Sequence, residues 1–142
     1  MRLIDANLLI YAFDEASTKH ERARDWLEEV YRKDDLVGLP RVALLAFLRI
    51  TTNPRAMRVA APAEEAFDRI QELLAYPKSI VLEPGPNHWT LLRDVVLRSG
   101  SVGPSITDAH LATLAIEHGA ILCSHDEGFR RYVALRFENP LQ

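Results

Sequence analysis

A chain of 142 residues is one ordinary domain, long enough to bury about two-thirds of the surface that its unfolded form exposes. With 48% hydrophobic and 26% charged residues it falls outside the low-hydrophobicity, highly charged class that stays disordered. The formal net charge of −3 argues against a protein that coats nucleic acid through a general excess of Lys and Arg, and no run approaches the roughly 18 apolar residues of a membrane span.

The chain opens without a secretory pattern: Arg2 to Ile4 is a short apolar run ending at Asp5 and suits a buried strand. Helices are expected over Asn7 to Phe13 and Lys19 to Tyr31, the second with Ala23, Trp26, Leu27 and Val30 on one face. A strand near Leu36 to Leu39 is closed by Pro40, which suits the first turn of a helix through Val42 to Ile50, and Asn53-Pro54 ends that helix. Pro62 to Leu74 carries Ala66, Phe67, Ile70, Leu73 and Leu74 at helical spacing. Ser79 to Leu82 reads as a strand, Pro86 to Leu97 as a helix, and Ser99 to Pro104 as a loop rich in Gly and Ser. The helix Ser105 to His118 stops at Gly119, in the C′ position. Ala120 to Cys123 is a buried strand, Asp126 to Tyr132 a short helix, and Leu135 to Phe137 a last edge strand. Cys123, the one cysteine, can neither pair internally nor join a zinc cluster, which fits a reducing, cytoplasmic setting. Strands alternating with helices, with no repeat or linker, predict a single domain over 1–142 built on a parallel sheet covered on both faces.

Charge is segregated along this framework. Val37 to Pro62 carries Arg41, Arg49, Arg55 and Arg58 with no acid, whereas Asp14 to Asp35 carries eight acids against five bases. Arg41, Arg49, Arg55 and Arg58 are therefore candidates for a phosphate-binding surface, although arginines on solvated helix faces are commonplace.

Three aspartates stand out by position. Asp5 and Asp126 follow buried strands and precede helices, where Asp is also a favoured N-cap. Asp108 lies three residues after Ser105, a weaker version of the capping box. Ligands of open parallel sheets bind in the crevice beyond the carboxyl ends of the strands, so the three carboxylates are placed to converge there. Such a cluster repels itself unless it holds a cation, and hard cations such as Mg²⁺ take oxygen ligands. The chemistry that uses this arrangement is phosphodiester hydrolysis by a metal-activated water. Asn7, Thr107 and Ser124 lie within two residues of the acids and are placed to orient them. His20, His88, His110, His118 and His125 show no metal-ligand spacing and read as surface or packing residues, with His125 singled out by its place beside Asp126.

Ile4-Asp5-Ala6-Asn7, Thr107-Asp108-Ala109-His110-Leu111-Ala112 and Ser124-His125-Asp126-Glu127-Gly128-Phe129 resemble the three best motifs of PIN domains, in order and over essentially the whole chain. Phe47-Leu48-Arg49-Ile50-Thr51-Thr52-Asn53-Pro54, Ala115-Ile116-Glu117-His118-Gly119-Ala120 and the ending Glu138-Asn139-Pro140-Leu141 are similar to VapC toxins of bacterial toxin–antitoxin pairs. The resemblance implies a three-layer α/β/α fold with a small, mostly parallel sheet. It also implies Mg²⁺ or Mn²⁺ held by Asp5, Asp108 and Asp126, endonuclease cleavage of RNA, a homodimer, and inhibition by a small VapB-type antitoxin. The chain departs from the family at Ala46, where PIN domains usually carry a glutamate just before the Phe-Leu-Arg element. That departure bears on whether a second metal binds, and Glu83 and Glu127 are candidate substitutes for the missing acid.

Two other classes share some of these features. A haloacid-dehalogenase-like phosphatase needs a second Asp two positions after the first, where this chain has Asn7, and no phosphate loop is present. A weakened PIN-like module that binds RNA or protein without cutting is the stronger alternative, given Ala46. For an antitoxin, the amphipathic helices Lys19 to Tyr31 and Pro62 to Leu74 are expected to present a groove through Trp26, Leu27, Phe67 and Leu73.

Overall fold

In chain order the strands are β1 (Arg2–Ile4), β2 (Val37–Pro40), β3 (Ser79–Leu82), β4 (Ile121–Cys123) and β5 (Arg136–Glu138). The helices are α1 (Ala6–Phe13), α2 (His20–Lys33), α3 (Arg41–Thr51), α4 (Ala63–Ala75), α5 (His88–Ser99) and α6 (Ser105–Glu117). This computed structural model describes residues 1–33 and 36–142; Asp34 and Asp35, the last acids of the acidic stretch, lie outside the described residues.

The strands form one sheet in the order β3-β2-β1-β4-β5, and every pairing is parallel. The mostly parallel sheet expected from sequence is thus wholly parallel, because β5 also enters by a crossover past β4. Element ends fall within one or two residues of the sequence reading, the usual scatter of helix termini. The segment after Asp126 is a 3-10 turn over Glu127–Arg131.

Both faces of the sheet are covered, and β1 shows how. Successive side chains of a strand point to opposite faces, so Ile4 joins the core under α1 to α4 with Leu8, Leu9, Phe47 and Ile70. Leu3 joins the core under α5 and α6 with Leu111, Leu114, Leu122 and Phe129. Gly38 in β2 is a close-approach position: a Cβ there would come 2.5 Å from Leu82 Cδ1. Six of the seven positions from Ala109 to Ala115 in α6 are buried, all but His110, so this helix runs between the sheet and α5 with little free face.

Register then fixes the site. Ile4 pairs with Cys123 at the ends of the neighbouring strands β1 and β4. The next residues, Asp5 and Ser124, therefore leave the sheet side by side, and Asp5 N donates to Cys123 O at 3.0 Å.

Candidate active site at the carboxyl edge of the sheet

Asp5 caps α1, accepting from Ala6 N at 2.7 Å through Oδ1. Its other oxygen accepts the hydroxyl of Ser124 at 2.7 Å and a long contact from Asn7 Nδ2 at 3.4 Å. Ser124, fully buried, is the hub: its Oγ also accepts from Asn7 Nδ2 at 3.0 Å and from Asp126 N at 3.0 Å. Asn7 completes the link by accepting from His125 N at 3.2 Å. Asp126 in turn caps the 3-10 turn, accepting from Gly128 N at 2.8 Å through Oδ1. The N-cap reading of Asp5 and Asp126 is therefore correct and does not exhaust them, because each keeps carboxylate lone pairs beyond its cap.

Asp108 stands in the first turn of α6. The weak capping box does not form: the Ser105 hydroxyl turns back to Val102, accepting from its N at 2.9 Å and donating to its O at 2.8 Å. Asp108 makes no hydrogen bond among the described residues, although it is half-buried. Burial, followed by the charges of Asp126 and Asp5, pushes its carboxyl above the ordinary aspartate range, and only Arg131 pulls the other way. Burial likewise raises Asp5, against the Ser124 and Ala6 hydrogen bonds and with the Asp126 charge. The three acids thus repel one another pairwise, with Arg131 the cation that Asp108 feels.

Among the described residues, no three His, Cys, Asp or Glu side chains stand close enough to grip one ion together. The donor chemistry nonetheless fits a divalent hard cation. Mg²⁺ takes one or two carboxylates directly and keeps several waters, so loosely spaced, mutually repelling acids suit a hydrated ion.

The profile of the PIN domain matches residues 2–135. The chain belongs to the PIN-domain family. It is 36% identical over 141 residues to ribonuclease VapC43 of Mycobacterium tuberculosis, covering 99% of this chain and 96% of that one. To ribonuclease VapC37 of the same organism it is 34% identical over 140 residues, covering 99% and 97%. The fold is similar to VapBC2 from Rickettsia felis, solved bound to a DNA fragment from its promoter, with TM-score 0.71, 15% identity and 97% of each chain covered.

Other predicted residues of this PIN domain fall elsewhere. Thr107 is exposed and makes no hydrogen bond among the described residues, unlike Asn7 and Ser124. Ala46 packs half-buried against the larger core. Glu83 is held by Arg41 at 2.6 Å and Glu127 by Arg130 at 2.5 Å, and neither is among the charges acting on Asp5 or Asp108. Arg41 therefore has an acid partner that its own sequence neighbourhood lacks. Phe13, ending α1, meets Phe47 in α3 with ring centroids 5.3 Å apart. Arg49 is exposed on α3 and Arg55 and Arg58 are exposed in the connection after it, and none of the three is among the charges acting on Asp5 or Asp108.

Sequence reasoning missed two features. Arg131 is one. The other is a chain of polar groups joining α5 to α6: His88 Nδ1 to Glu117 Oε1 at 2.5 Å, and His88 Nε2 to His110 Nδ1 at 2.9 Å. Glu117 also accepts from Gly85 N at 3.2 Å. Burial and the nearby His88 hold His110 below the usual histidine range. His88 and Glu117 are 29 positions apart, so no local signal pairs them. His125 is half-buried, its ring edge-on to Tyr11 at 5.8 Å.

Proposed function

We propose that this chain is a metal-dependent endoribonuclease and the toxin half of a VapBC-type toxin–antitoxin pair, acting in the cytoplasm. The observation that carries the reading is the mutual charge coupling of Asp5, Asp108 and Asp126 at the carboxyl edge of a parallel sheet, with Ser124 linking the Asp5 carboxylate to the Asp126 amide. The ribonuclease names of relatives that match almost the full chain support the same activity.

Asp5, Asp108 and Asp126 would hold Mg²⁺ or Mn²⁺, which when bound lowers the pKa of an attacking water and offsets charge on the leaving oxygen. The rest is done by the chain. Ser124 and Ala6 fix the Asp5 carboxylate, so it does not rotate away when the neighbouring acids repel it. The Gly128 N–H fixes one oxygen of Asp126 and leaves the other for a ligand. Asp108, without a hydrogen-bond donor among the described residues, would be available as a metal ligand or as a proton acceptor.

A groove supports the antitoxin reading. A groove of about 1320 Å³ lies between α2, α4 and the 52–62 connection, with Phe13, Leu27, Tyr31, Met57, Leu73 and Tyr76 among its lining. Of the side chains expected there, Leu27 and Leu73 line it; Trp26 packs on the core and Phe67 is exposed outside it. An apolar segment of the antitoxin fills this groove, and a basic side chain beyond it pairs with the acids. For the homodimer, Trp89 and Leu97 of α5, 80% and 63% exposed, supply apolar surface; light scattering of the purified chain checks it.

RNA cleavage that requires Mg²⁺ or Mn²⁺ and disappears in Asp5→Asn tests the enzyme. Binding without cleavage under those conditions establishes instead the weakened module that Ala46 favours. Co-purification with the small protein encoded beside it, and activity before and after separation, tests the toxin: a neighbour that does not bind, or binds without inhibiting, rejects that half alone.

A further inference from the structure

Arg131 lies at the end of the 3-10 turn that Asp126 caps. Its Nε donates to Gly128 O at 2.9 Å, which fixes the guanidinium and leaves both Nη groups available. Its Cζ lies 5.9 Å from the centre of the Tyr132 ring, and Tyr132 is itself anchored through its hydroxyl to Ser101 Oγ at 3.0 Å and Ser105 O at 3.3 Å. Among the described residues no carboxylate lies in ion-pair reach of Arg131, whereas its neighbour Arg130 is paired with Glu127 at 2.5 Å.

Gly128 shows how close Arg131 comes to the acids. A Cβ at that position would meet Asp126 Oδ1 at 2.9 Å and Arg131 Nη2 at 3.1 Å. Carboxylate and guanidinium thus flank the same glycine without pairing. The Asp108 carboxyl also feels the charge of Arg131.

We propose that Arg131 receives a backbone phosphate of single-stranded RNA at the acidic site, its Nη groups donating to the non-bridging oxygens. The inference rests on the ribonuclease reading and supplies what the acids lack. Three aspartates repel a phosphodiester, and a fixed guanidinium beside them offsets that repulsion. Its N–H fork matches phosphate geometry, which an ammonium does not.

The test uses the full chain and a fluorescent 12-nucleotide RNA carrying 2′-O-methyl groups, bound in EDTA over a series of KCl concentrations, with the unmodified RNA and Mn²⁺ for cleavage. Arg131→Met is expected to weaken binding about tenfold and to flatten the dependence of log affinity on log salt by about 0.7, one phosphate contact to a single strand. Arg131→Lys should keep the salt slope yet cleave with a raised KM, because the charge remains and the fork does not. Arg131→Gln keeps an N–H for Gly128 O, so it separates tethering from phosphate binding. Wild-type affinity and slope in Arg131→Met overturn the inference, and so does wild-type binding by Arg131→Gln. If the wild type cleaves RNA and Arg131→Met binds and cleaves equally well, only this inference fails. If the wild type never cleaves yet Arg131→Met loses affinity and slope, the ribonuclease reading fails and the phosphate contact stands.

Discussion

Replacing Asp108 by Asn removes a charge and keeps the shape. Asp108 is half-buried, makes no hydrogen bond among the described residues, and is repelled by Asp126 and Asp5. Nothing in the packing is lost, and a like-charge contact in half-solvated surroundings is worth about 1 kcal/mol or less. Metal-free Asp108→Asn should therefore be as stable as the wild type or up to about 1 kcal/mol more so, a rise in Tm of about 3 °C for a chain of this size. Cleavage should nonetheless fall by about 100-fold or more, since a charged oxygen ligand is gone. Thermal unfolding by circular dichroism in EDTA, paired with cleavage of a quenched fluorescent RNA, reads both numbers. Adding Mn²⁺ should raise the Tm of the wild type and leave that of the variant nearly unchanged. A variant that loses more than about 1 kcal/mol without metal yet still cuts RNA would show that Asp108 is a structural residue and refute the reasoning.

Ser124→Ala removes the buried hydroxyl that serves Asp5, Asn7 and the Asp126 amide; denaturant titration should show a loss of about 1–3 kcal/mol, with cleavage down about 10- to 100-fold. The pH dependence has a definite sign. Asp5 and Asp108 sit above the ordinary aspartate range when folded, so the folded state holds more protons than the unfolded one. Their contribution is fully present below the ordinary aspartate pKa and is lost as pH rises through the raised values. In EDTA the stability advantage of Asp108→Asn over wild type should therefore grow from about pH 4 to about pH 7, which urea midpoints measure; an advantage that shrinks with pH contradicts it. Reversing the charge of Arg55 and Arg58 together tests the basic stretch: if these residues carry RNA, affinity and its salt dependence both fall, and if neither changes, that surface is left to the antitoxin.

The order and kind of nearly every element could be read from local signals. Apolar runs ending at Asp5 and at Cys123 marked the central strand and its neighbour β4, and Gly119 and Pro40 marked helix boundaries through backbone restrictions that do not depend on the rest of the chain. That Asp5 and Asp126 share an edge was legible for the same reason, since strand ends in a parallel sheet lie together, whereas Asp108 opens α6 and only packing brings its charge to theirs. Pairings between distant positions were not legible. Ser124 reads locally as a turn residue, and only the Ile4–Cys123 register puts its hydroxyl on Asp5, 119 positions away. Arg41 sits in an acid-free stretch, and only the β2–β3 pairing brings it Glu83, 42 positions on. Arg131 follows an arginine of identical local character; Arg130 is spent on Glu127, while Arg131 is set beside the acids by the 3-10 turn and Gly128. Hydrophobic period and backbone restrictions act over a few residues and are written in the sequence. Charge and hydrogen bonding act through space, so which arginine meets an acid, and which acids meet one another, was decided only when the sheet closed its register.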